Sequence, residues 1–514
     1  MPVEIELKLA IASGDVARLR RHPLLKGVKS TTRRLYGIYF DTPKFELFHR
    51  RGAIRLRREG YHWVQTVKLD SQVSGGLSTR PEWEVRVTGN RPDFQVLPVE
   101  ARECVDADLL ERLAPLFVTD FRRTTWLLEL PGGTVEVAID QGHIRPGLDE
   151  PAQSGKPGRA IKAHHGAPPH DPVGEMAVSE VELELKAGDP EVLFDVALAM
   201  LESVPMLPEF RSKALRGYIL AGVHQPAPSK AVDVAIEPHL PATEAWRRML
   251  LAALTQFSRN LPGFLDGQDP EYLHQMRVAV RRMSTLLSLG DEFVEAPAHW
   301  RDELRWLMGE LSPARDWDVM ETQTLAMVYA GLPEPHRLDD LIMVARDMRS
   351  QANQRAREAV LDRRCAHLLL DIGRALLTVR ETGPELAEWA RSVLDKRWRR
   401  FRKLGRQFAD LKAAERHRLR IAAKRLRYAG EIFAPLRGKQ ASLFLKSLAG
   451  VQDRLGVAND AAVAHALLNS LDPDGSLERA IGLVDGYLAS QTTGGMRKMA
   501  KLVANMAAEK PFWR

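Results

Sequence analysis

The chain has 514 residues, enough for about three domains, and 45% of them are hydrophobic and 27% charged. This composition excludes a disordered, collagenous or disulfide-stapled chain, and the two cysteines, Cys104 and Cys365, indicate a reducing compartment. The N-terminus is charged where a signal peptide is apolar, and no apolar run reaches the roughly 18 residues of a membrane span. We therefore expect a cytoplasmic protein with no membrane partner.

The charge of the chain is unevenly distributed. Residues 1–230 hold equal numbers of basic and acidic residues, so the net charge of +7 lies in residues 231–514. Within the second half, residues 391–450 contain 18 basic residues against 4 acidic ones. Such a block indicates either a solvated helix face or a polyanion partner, which would be nucleic acid, an anionic membrane surface or polyphosphate.

The first half is predicted to form strands. Apolar and charged residues alternate with a period of two in short runs, at 3–9, 53–57, 64–69, 82–87, 134–140 and 180–186. Helical patterns lie near residues 13–25 and 189–204. The stretch 145–178 is rich in Gly, Pro and His and predicts a long mobile loop. A Pro-studded linker is expected at 223–242.

The polar faces of the predicted strands are dense in charge. Glu4, Glu6, Glu182 and Glu184 make the first and last strands acid-rich, whereas the strands at 53–69 are basic. An antiparallel sheet with its charged side in water explains one such strand. A closed barrel with a polar lumen explains six of them better, because alternation places every second residue inside. Carboxylates that bind Mg²⁺ and arginines that bind phosphate oxygens suit phosphoryl transfer, although the charge pattern alone leaves both alternatives open.

The second half, from Glu244 onward, is predicted to be helical because apolar residues recur at spacings of three and four. It also contains an internal repeat. The first copy holds His274-x2-Arg277-x3-Arg281-Arg282 and Leu311-x2-Ala314-Arg315-Asp316. The second copy holds His417-x2-Arg420-x3-Lys424-Arg425 and Leu455-x2-Ala458-Asn459-Asp460, at offsets of 143 and 144 residues. We expect two similar helical bundles in tandem, at about 243–385 and 386–514.

A series of short motifs runs along residues 1–222. They are Glu4-x-Glu6-x-Lys8, Tyr39-Phe40-Asp41-Thr42-Pro43, Arg55-x-Arg57, Lys68, Arg80-Pro81-Glu82, Thr119-Asp120-Phe121-x-Arg123, Glu136-x3-Asp140-Gln141-Gly142, Glu180-x-Glu182-x-Glu184, and Ser212-Lys213-Ala214-x-Arg216-Gly217-Tyr218. This ordered set resembles the CYTH, or triphosphate tunnel metalloenzyme, family, and in particular its bacterial inorganic triphosphatase branch. The resemblance implies an antiparallel barrel tunnel with helices packed outside.

The resemblance also implies roles for individual residues. Tunnel carboxylates of the family bind Mg²⁺ or Mn²⁺, and here the metal candidates are Glu4, Glu6, Glu136, Glu182 and Glu184. The triphosphate would be bound by Arg55, Arg57, Lys68, Arg123 and Lys213. Lys8 would orient the attacking water, and Glu82 would assist. Asp140 would either bind metal or order the turn after it, Arg216 would bind substrate or pack a helix, and Glu180 is expected nearer the barrel mouth.

The repeated helix motifs, together with Ala314-Arg315-Asp316-Trp317-Asp318, resemble the CHAD, or conserved-histidine α-helical, domain over about 243–514. That family is associated with binding inorganic polyphosphate on basic helix faces. The resemblance implies polyphosphate contacts from His274, Arg277, Arg281, Arg282, His417, Arg420, Lys424, Arg425 and Arg427. Cations at one-turn intervals, about 5 Å apart, could follow a linear polyphosphate.

These inferences combine into one expectation for the whole chain. The fold class is multidomain α+β, with an N-terminal antiparallel β-barrel tunnel at 1–222 and C-terminal all-α tandem bundles at 243–514. The tunnel would hydrolyse inorganic triphosphate to pyrophosphate and phosphate with Mg²⁺ or Mn²⁺, and the helices would bind polyphosphate and locate the enzyme at polyphosphate stores. The alternatives are a nucleoside or thiamine triphosphate as substrate, and a polyphosphate-binding scaffold with a weakly active tunnel. A nucleic-acid partner is disfavoured because aromatics are scarce in the basic block.

Overall fold

The computed structural model of the chain describes residues 3–69, 72–74, 76–103, 105–147, 174–471, 475–492 and 496–514. The chain forms two compact units. The first consists of Met1–Ala227 and Leu361–Thr378, and the second of Pro228–Val360 and Val379–Arg514. Cys104 and most of the predicted loop at 145–178 lie outside the described residues.

The first unit is built on a closed antiparallel barrel of eight strands, with two short strands at its edges. The strands are β1 (Val3–Ile11), β2 (Ser30–Asp41), β3 (Ala53–Glu59), β4 (His62–Lys68), β5 (Gln72–Ser74), β6 (Leu77–Val87), β7 (Ala114–Leu130), β8 (Gly133–Pro146), β9 (Met176–Gly188) and β10 (Met206–Pro208). The barrel order is β1-β9-β8-β7-β2-β3-β4-β6, and the pairing of β6 with β1 closes it. The predicted barrel is therefore confirmed.

The barrel is apolar outside and charged inside. On β1, Leu7 and Leu9 belong to a buried core that also contains Val137, Leu183 and Phe194. Because successive side chains on a strand point to opposite faces, the charged residues that alternate with these apolar ones face the lumen. Helices cover the apolar outer surface, so the charged face of each strand is left for the interior of the barrel.

Short helices accompany the barrel strands in the first unit. They are α1 (Val16–Leu19), α2 (Glu46–His49), α3 (Val99–Arg102), α4 (Ala107–Glu111), α5 (Glu191–Leu201) and α6 (Lys213–Leu220). The helix predicted near 13–25 is instead α1 between two 3₁₀ turns, and Pro23 begins the second turn. The helix predicted near 189–204 corresponds to α5.

One helix of the first unit comes from far along the chain. Helix α12 (Arg363–Ala375) places Ala366 and Leu370 in the same buried core as α5. The Arg374 guanidinium lies 2.6 Å from a carboxylate oxygen of Asp195 on α5. The Arg363 guanidinium donates a hydrogen bond of 2.8 Å to the carbonyl oxygen of Glu202, just after α5. This segment thus completes the barrel unit, although the sequence analysis assigns it to the helical half.

The second unit is helical. Its helices are α7 (Ala242–Asp266), α8 (Pro270–Gly290), α9 (Ala298–Val319), α10 (Ala326–Gly331), α11 (Asp339–Leu361), α13 (Leu386–Arg406), α14 (Ala413–Phe433), α15 (Gly438–Asn469), α16 (Glu478–Thr492) and α17 (Met496–Ala508). A π-helical turn, Met320–Leu325, joins α9 to α10. Among the described residues, no helix is both long and apolar enough to span a membrane.

The internal repeat reappears in the helix boundaries. Helix α14 begins and ends 143 residues after α8, and α13 begins 144 residues after α7. The apolar stripes of α8 and α14 are buried, as the residues Met276, Val280, Met283 and Leu287 and the residues Leu419, Ala422, Leu426, Ala429 and Phe433 show. The helical second half is thus confirmed, whereas the division into two bundles at about 243–385 and 386–514 stays a prediction.

Candidate active site

The lumen of the barrel forms a cavity of about 460 Å³, within the range of small-molecule sites. Its walls carry seven glutamates and eight cationic side chains, and few apolar groups. The glutamates are Glu4, Glu6, Glu82, Glu84, Glu136, Glu182 and Glu184. The cations are Lys8, Arg55, Arg57, Lys68, Arg80, Arg123, Lys186 and Lys213. Both signs of charge therefore converge on one cavity.

Three glutamates form a row across neighbouring strands. Glu184 on β9 pairs in register with Glu6 on β1 and with Glu136 on β8. Like charges directly opposite each other on a sheet are destabilising. Burial raises the pKa of Glu184, and the negative charges of Glu4 and Glu136 raise it further. Lys186 lowers this pKa but does not cancel the increase. The Lys186 ammonium lies 2.6 Å from Glu184 but 3.9 Å from Glu136, so it neutralises the row only in part.

The chemistry of this donor set suits a hard divalent cation, because Mg²⁺ and Mn²⁺ prefer carboxylate oxygens. As placed in the structure, the three glutamates do not bring their oxygens within 4.8 Å of one another. A bound dication would relieve the repulsion between Glu136 and Glu184, whereas Glu6 is already paired with Lys8 and Arg80. These glutamates were predicted from sequence as metal ligands, and the structure brings them to one row. That role remains a proposal.

A second acidic group lies deeper in the wall. Carboxylate oxygens of Asp140, Glu180 and Glu182 all lie within 4.8 Å of one another. The Lys213 ammonium is 2.6 Å from Asp140 and 3.0 Å from Glu182, and it also contacts Glu180. The ammonium therefore already neutralises the site that these three carboxylates form. Glu182, predicted as a metal ligand, belongs to this group as well as facing the cavity.

Two further residues of this wall are buried, and one of them, Glu180, lies elsewhere than the sequence indicates. Glu180 is only 1% exposed and contacts Lys213 and Arg216, so it lies deep in the wall and not near the barrel mouth. Asp140 is fully buried and accepts two hydrogen bonds, of 2.7 and 2.8 Å, from the Arg123 guanidinium. Asp140 therefore orients Arg123, which also contacts Glu182.

Helix α6 carries Lys213 into the cavity. The Ser212 hydroxyl accepts a hydrogen bond from the Leu215 amide and caps the helix N-terminus. Gly217 lets the helix approach the barrel closely, because a Cβ there would lie 2.1 Å from the Phe117 ring. Burial lowers the pKa of Lys213, but Asp140, Glu180 and Glu182 raise it well above its usual range. Lys213 therefore stays charged at neutral pH.

A third group joins β1, β4 and β6. The Lys68 ammonium lies 2.6 Å from Glu82 and 3.4 Å from Glu4, and Arg80 donates a hydrogen bond of 2.7 Å to Glu4. Burial raises the pKa of Glu82 to about 7, and its hydrogen bond with Glu4 acts in the same direction against Lys68. Burial also raises the pKa of Glu4, but Lys68 and its other partners lower it well below its usual range. The pair thus holds one carboxyl that titrates near neutral pH.

Lys8 and Arg80 connect these groups. The Lys8 ammonium lies 2.7 Å from Glu6 and 3.5 Å from Glu182, and the Arg80 guanidinium lies 2.8 Å from Glu6. Lys8 is buried among these carboxylates. Burial lowers its pKa, but Glu6 and Glu182 hold it above the usual value, so the side chain is an ammonium. Its predicted role in orienting water stays a prediction.

Arg55 and Arg57 project into the lumen from β3. Both lie within 3.4 Å of Glu84, and Arg55 also donates a hydrogen bond of 3.1 Å to Thr66. The Arg55 Nε is buried and has no hydrogen-bond partner among the described residues. Gly37 on β2 leaves room for the Arg55 side chain, since a Cβ there would lie 3.3 Å from the Arg55 Cδ. A buried guanidinium with a free donor suits an anionic ligand.

All twelve tunnel residues that the sequence predicts line the same cavity. The sequence analysis did not assign roles to seven further lining residues. They are Tyr39, Arg80, Glu84, Phe121, Lys186, Ser212 and Ala214. All of them lie inside the quoted motifs except Glu84 and Lys186, which are in phase with predicted inward residues. The signal that could have identified Glu84 and Lys186 is the alternation of inward and outward side chains along each strand.

The basic residues predicted in the second unit lie on α8 and α14. The Arg281 guanidinium of α8 stacks 4.3 Å from the ring centre of Tyr428 on α14. Buried nitrogens of Arg277, Arg282 and Arg420 have no hydrogen-bond partner among the described residues. Arg427, by contrast, donates a hydrogen bond of 2.8 Å to Glu431. The two motif helices therefore meet through cations that carboxylates only partly neutralise.

Positive charge accumulates around α8. Burial lowers the pKa of His274, and the neighbouring charge of Arg315 lowers it further against Glu271. Burial also lowers the pKa of Arg277 and of Arg282, and Arg281 adds to both effects. Mutual repulsion and incomplete hydrogen bonding mark this surface as one that favours an anion. Of the second-copy counterparts, Asn459 and Asp460 lie among residues whose side chains are not described.

The geometry agrees with comparisons to protein families. Residues 2–218 match the CYTH domain, and residues 248–469 match the CHAD domain. The chain carries a CYTH domain followed by a CHAD domain. The barrel with its charged lumen is the CYTH domain, and α8 and α14 lie in the CHAD domain. Helix α12, which packs on the barrel, also falls within the CHAD match.

Relatives cover the two domains separately or together. The inorganic triphosphatase of Haemophilus influenzae is 30% identical over 225 residues, which are 42% of this chain and 54% of that protein. The chain thus spans about half the length of this relative. An uncharacterized protein of Mycobacterium tuberculosis is 24% identical over 497 residues, covering 90% of this chain and 89% of that one. The crystal structure of the CHAD domain from the plant Ricinus communis is 32% identical, with a TM-score of 0.51, and covers 55% of this chain and 98% of that one.

Proposed function

We propose that the barrel cavity hydrolyses inorganic triphosphate to pyrophosphate and phosphate with a divalent cation. The observation that carries this proposal is the lumen itself, where seven glutamates and eight cationic side chains line a cavity of about 460 Å³. The CYTH domain and the similarity to an inorganic triphosphatase support triphosphatase activity in general. Inorganic triphosphate as the particular substrate is our proposal.

The residues that would hold the cation are the row of Glu6, Glu136 and Glu184, with Glu4 and Glu182 beside it. A bound Mg²⁺ or Mn²⁺ would neutralise phosphoryl charge and lower the pKa of a water molecule. Without such a cation the row would repel the highly negative substrate. We therefore assign the carboxylates to the metal and the cations that lie among them to the phosphates.

The cations of the chain would bind and orient the substrate. Arg55, with its free buried Nε, and Arg57, Lys68, Arg123 and Lys213 would hold the phosphoryl oxygens through charge-assisted hydrogen bonds. Fixed cations placed where negative charge develops stabilise the transition state without reorganisation. Lys8, held by Glu6 and Glu182, would orient the attacking water.

Water supplies the oxygen of the new P–O bond as the terminal P–O–P bridge breaks. Pyrophosphate leaves, and the proton of the attacking water must be taken up nearby. Glu82 titrates near neutral pH, so it can exchange such a proton under physiological conditions. This assigns an assisting role to Glu82, next to the charge on Lys68 that holds it in place.

We also propose that the CHAD domain binds inorganic polyphosphate on the surface that α8 and α14 form. The partly unbonded guanidinium groups of Arg277, Arg282 and Arg420 support this proposal, since phosphate oxygens would complete their hydrogen bonding. His274, Arg281, His417, Lys424, Arg425 and Arg427 would contribute to the same surface. Binding there would hold the enzyme at polyphosphate stores.

Phosphate release tests the tunnel proposal. The full chain would be assayed with inorganic triphosphate, ATP, thiamine triphosphate and long polyphosphate, with Mg²⁺, Mn²⁺ or EDTA. We expect metal-dependent turnover that favours triphosphate and is lost in a Glu136→Gln/Glu184→Gln variant. The exposed pair Glu100→Gln/Glu111→Gln, on the outer helices, is the matched control. Faster turnover of ATP or thiamine triphosphate would show that the substrate is a nucleoside or thiamine triphosphate instead. Absence of turnover on all four compounds would contradict the enzyme proposal and favour a polyphosphate-binding scaffold.

Polyphosphate binding is tested separately. Affinity of the full chain for long polyphosphate would be measured at fixed salt, with duplex DNA as competitor. We expect polyphosphate to bind more tightly than duplex DNA. We also expect an Arg277→Gln/Arg420→Gln variant to bind polyphosphate at least about tenfold more weakly than the wild type. A charge-matched control is Arg305→Gln/Arg418→Gln, because both side chains are exposed. Preference for DNA, or equal loss in both variants, would contradict the proposal.

A further inference from the structure

Tyr39 is a cavity residue to which the sequence assigns no role. It lies on β2 and faces inward, with Arg55 of β3 as its register partner. The side chain is only 5% exposed, yet it lines the charged cavity. Within the part of the chain that the structure describes, no residue forms a hydrogen bond with its hydroxyl. The hydroxyl is not among the buried polar atoms that lack a partner, so it opens onto the cavity, where a ligand oxygen can reach it.

The Tyr39 ring is held rigidly from behind. It stacks on Phe117, with ring centres 4.7 Å apart and planes at 17°. Phe117 in turn meets the edge of Tyr218 at 5.5 Å, and the Tyr218 hydroxyl donates a hydrogen bond of 2.8 Å to Asp41. Asp41 also accepts the amide hydrogens of Thr42 and Leu47. This chain of contacts fixes the direction of the Tyr39 hydroxyl before any ligand binds.

The electrostatic surroundings of Tyr39 are cationic. Burial raises its pKa, but the charges of Arg55, Lys68, Lys213 and Arg80 outweigh burial and lower it below the usual value. The carboxylates of the cavity are engaged with lysines and arginines and not with this phenol. Its hydroxyl is therefore a hydrogen-bond donor among cations, with no acceptor among the described side chains. An anion that lies among these same cations would carry acceptor oxygens to it.

We propose that Tyr39 is a substrate-binding residue whose hydroxyl donates a hydrogen bond to a phosphoryl oxygen bound between Arg55 and Lys213. The proposal rests on the proposed function of the barrel. A neutral donor adds a contact without adding charge, so it can select for the position of one phosphoryl group among many cations. Hydrogen bonds to charged groups contribute enough for about a tenfold effect or more on affinity.

Steady-state kinetics of the full chain with inorganic triphosphate and Mg²⁺ would test this role. Tyr39→Phe keeps the ring and its stacking on Phe117 and removes only the hydroxyl. We expect its kcat/KM to fall about tenfold or more, with an unchanged melting temperature. Tyr36→Phe is the matched control, since Tyr36 lies on the same strand but packs in an outer apolar cluster. Wild-type kinetics for Tyr39→Phe would overturn the role of Tyr39 while leaving the triphosphatase proposal intact.

A binding measurement makes the test independent of turnover. The near-ultraviolet difference spectrum would be recorded as inorganic triphosphate is added to the full chain with Mg²⁺. We expect a tyrosine band shift in the wild type and in Tyr36→Phe, and no such shift in Tyr39→Phe. Hydrolysis is not needed for this signal, so a protein that binds without turnover would still report on Tyr39. A shift that persists in Tyr39→Phe, or triphosphate that binds without any shift, would overturn the proposal.

Discussion

The Arg281 guanidinium lies 4.3 Å from the ring centre of Tyr428, and this contact joins the two motif helices of the CHAD domain. Arg281 belongs to α8 and Tyr428 to α14. A cation over an aromatic face is attractive, so the ring helps to hold the guanidinium among other positive charges. The contact thus assembles one basic surface from two repeats that are 143 residues apart in the chain.

This surface carries a stability cost that should be measurable. Burial and the charges of Arg315 and Arg281 disfavour the Arg277 cation and lower its pKa, whereas Asp316 and, to a smaller extent, Tyr428 raise that pKa. One of the buried nitrogens of Arg277 has no hydrogen-bond partner among the described residues. We expect Arg277→Met to raise the free energy of unfolding by about 1 kcal/mol, because it removes an incompletely satisfied cation. The same variant should bind polyphosphate more weakly. Denaturant unfolding would check the gain in stability, and a polyphosphate titration would check the loss of affinity. A variant less stable than the wild type would contradict the predicted stability cost of Arg277.

Helix α12 predicts a long-range effect on the barrel unit. Leu370 is almost fully buried in the core that contains residues of α5, although about 170 residues separate them in sequence. Leu370→Ala should destabilise this unit by about 3 kcal/mol, the usual cost of truncating a core leucine. Urea unfolding followed by loss of triphosphatase activity would report it. Leu361→Ala is the control, since that side chain is half exposed, and an equal effect of both would show that α12 does not support the barrel.

The sequence predicted the strands whose two faces differ. On β1 and β9, charged residues alternate with buried apolar ones. This alternation predicts both strands and the inward orientation of Glu6 and Glu184. Strand β2 did not follow, because its residues from Leu35 to Asp41 are buried without alternation. A strand that is covered on both faces loses the period-two signal.

The sequence did not predict contacts between residues that are far apart in the chain. Arg80 was missed because the predicted strand began at residue 82, whereas β6 begins at Leu77 and brings Arg80 into register with Glu4. The packing of α12 on α5 had no local signal either, since its apolar face also suits a helical bundle. Contacts of this kind depend on the closure of the whole barrel unit.

Acid should weaken the barrel unit through Glu182. Burial raises the pKa of Glu182, but Lys213 and Arg123 lower it well below its usual value near 4.5. A carboxyl whose pKa is depressed on folding contributes stability above its unfolded pKa and loses that contribution as the pH falls below it. We expect the metal-free protein to lose unfolding free energy as the pH falls below about 4.5. Glu182→Gln should flatten this dependence in pH-resolved urea unfolding, and an unchanged slope would exclude Glu182 as its cause.

Gly217 sets the distance between α6 and the barrel, and through it the position of Lys213. A Cβ at residue 217 would lie 2.1 Å from the Phe117 ring, so Gly217→Ala must push the helix or the ring aside. Overpacking of this kind costs about 1–3 kcal/mol. The displaced Lys213 would lose contacts with Asp140 and Glu182, so triphosphatase kcat/KM should fall about tenfold, comparable to losing one charge-assisted hydrogen bond. Gly89→Ala, where no atom lies within 4 Å of an added Cβ, is the control. Equal activity of the two variants would show that the cavity tolerates a shift of α6.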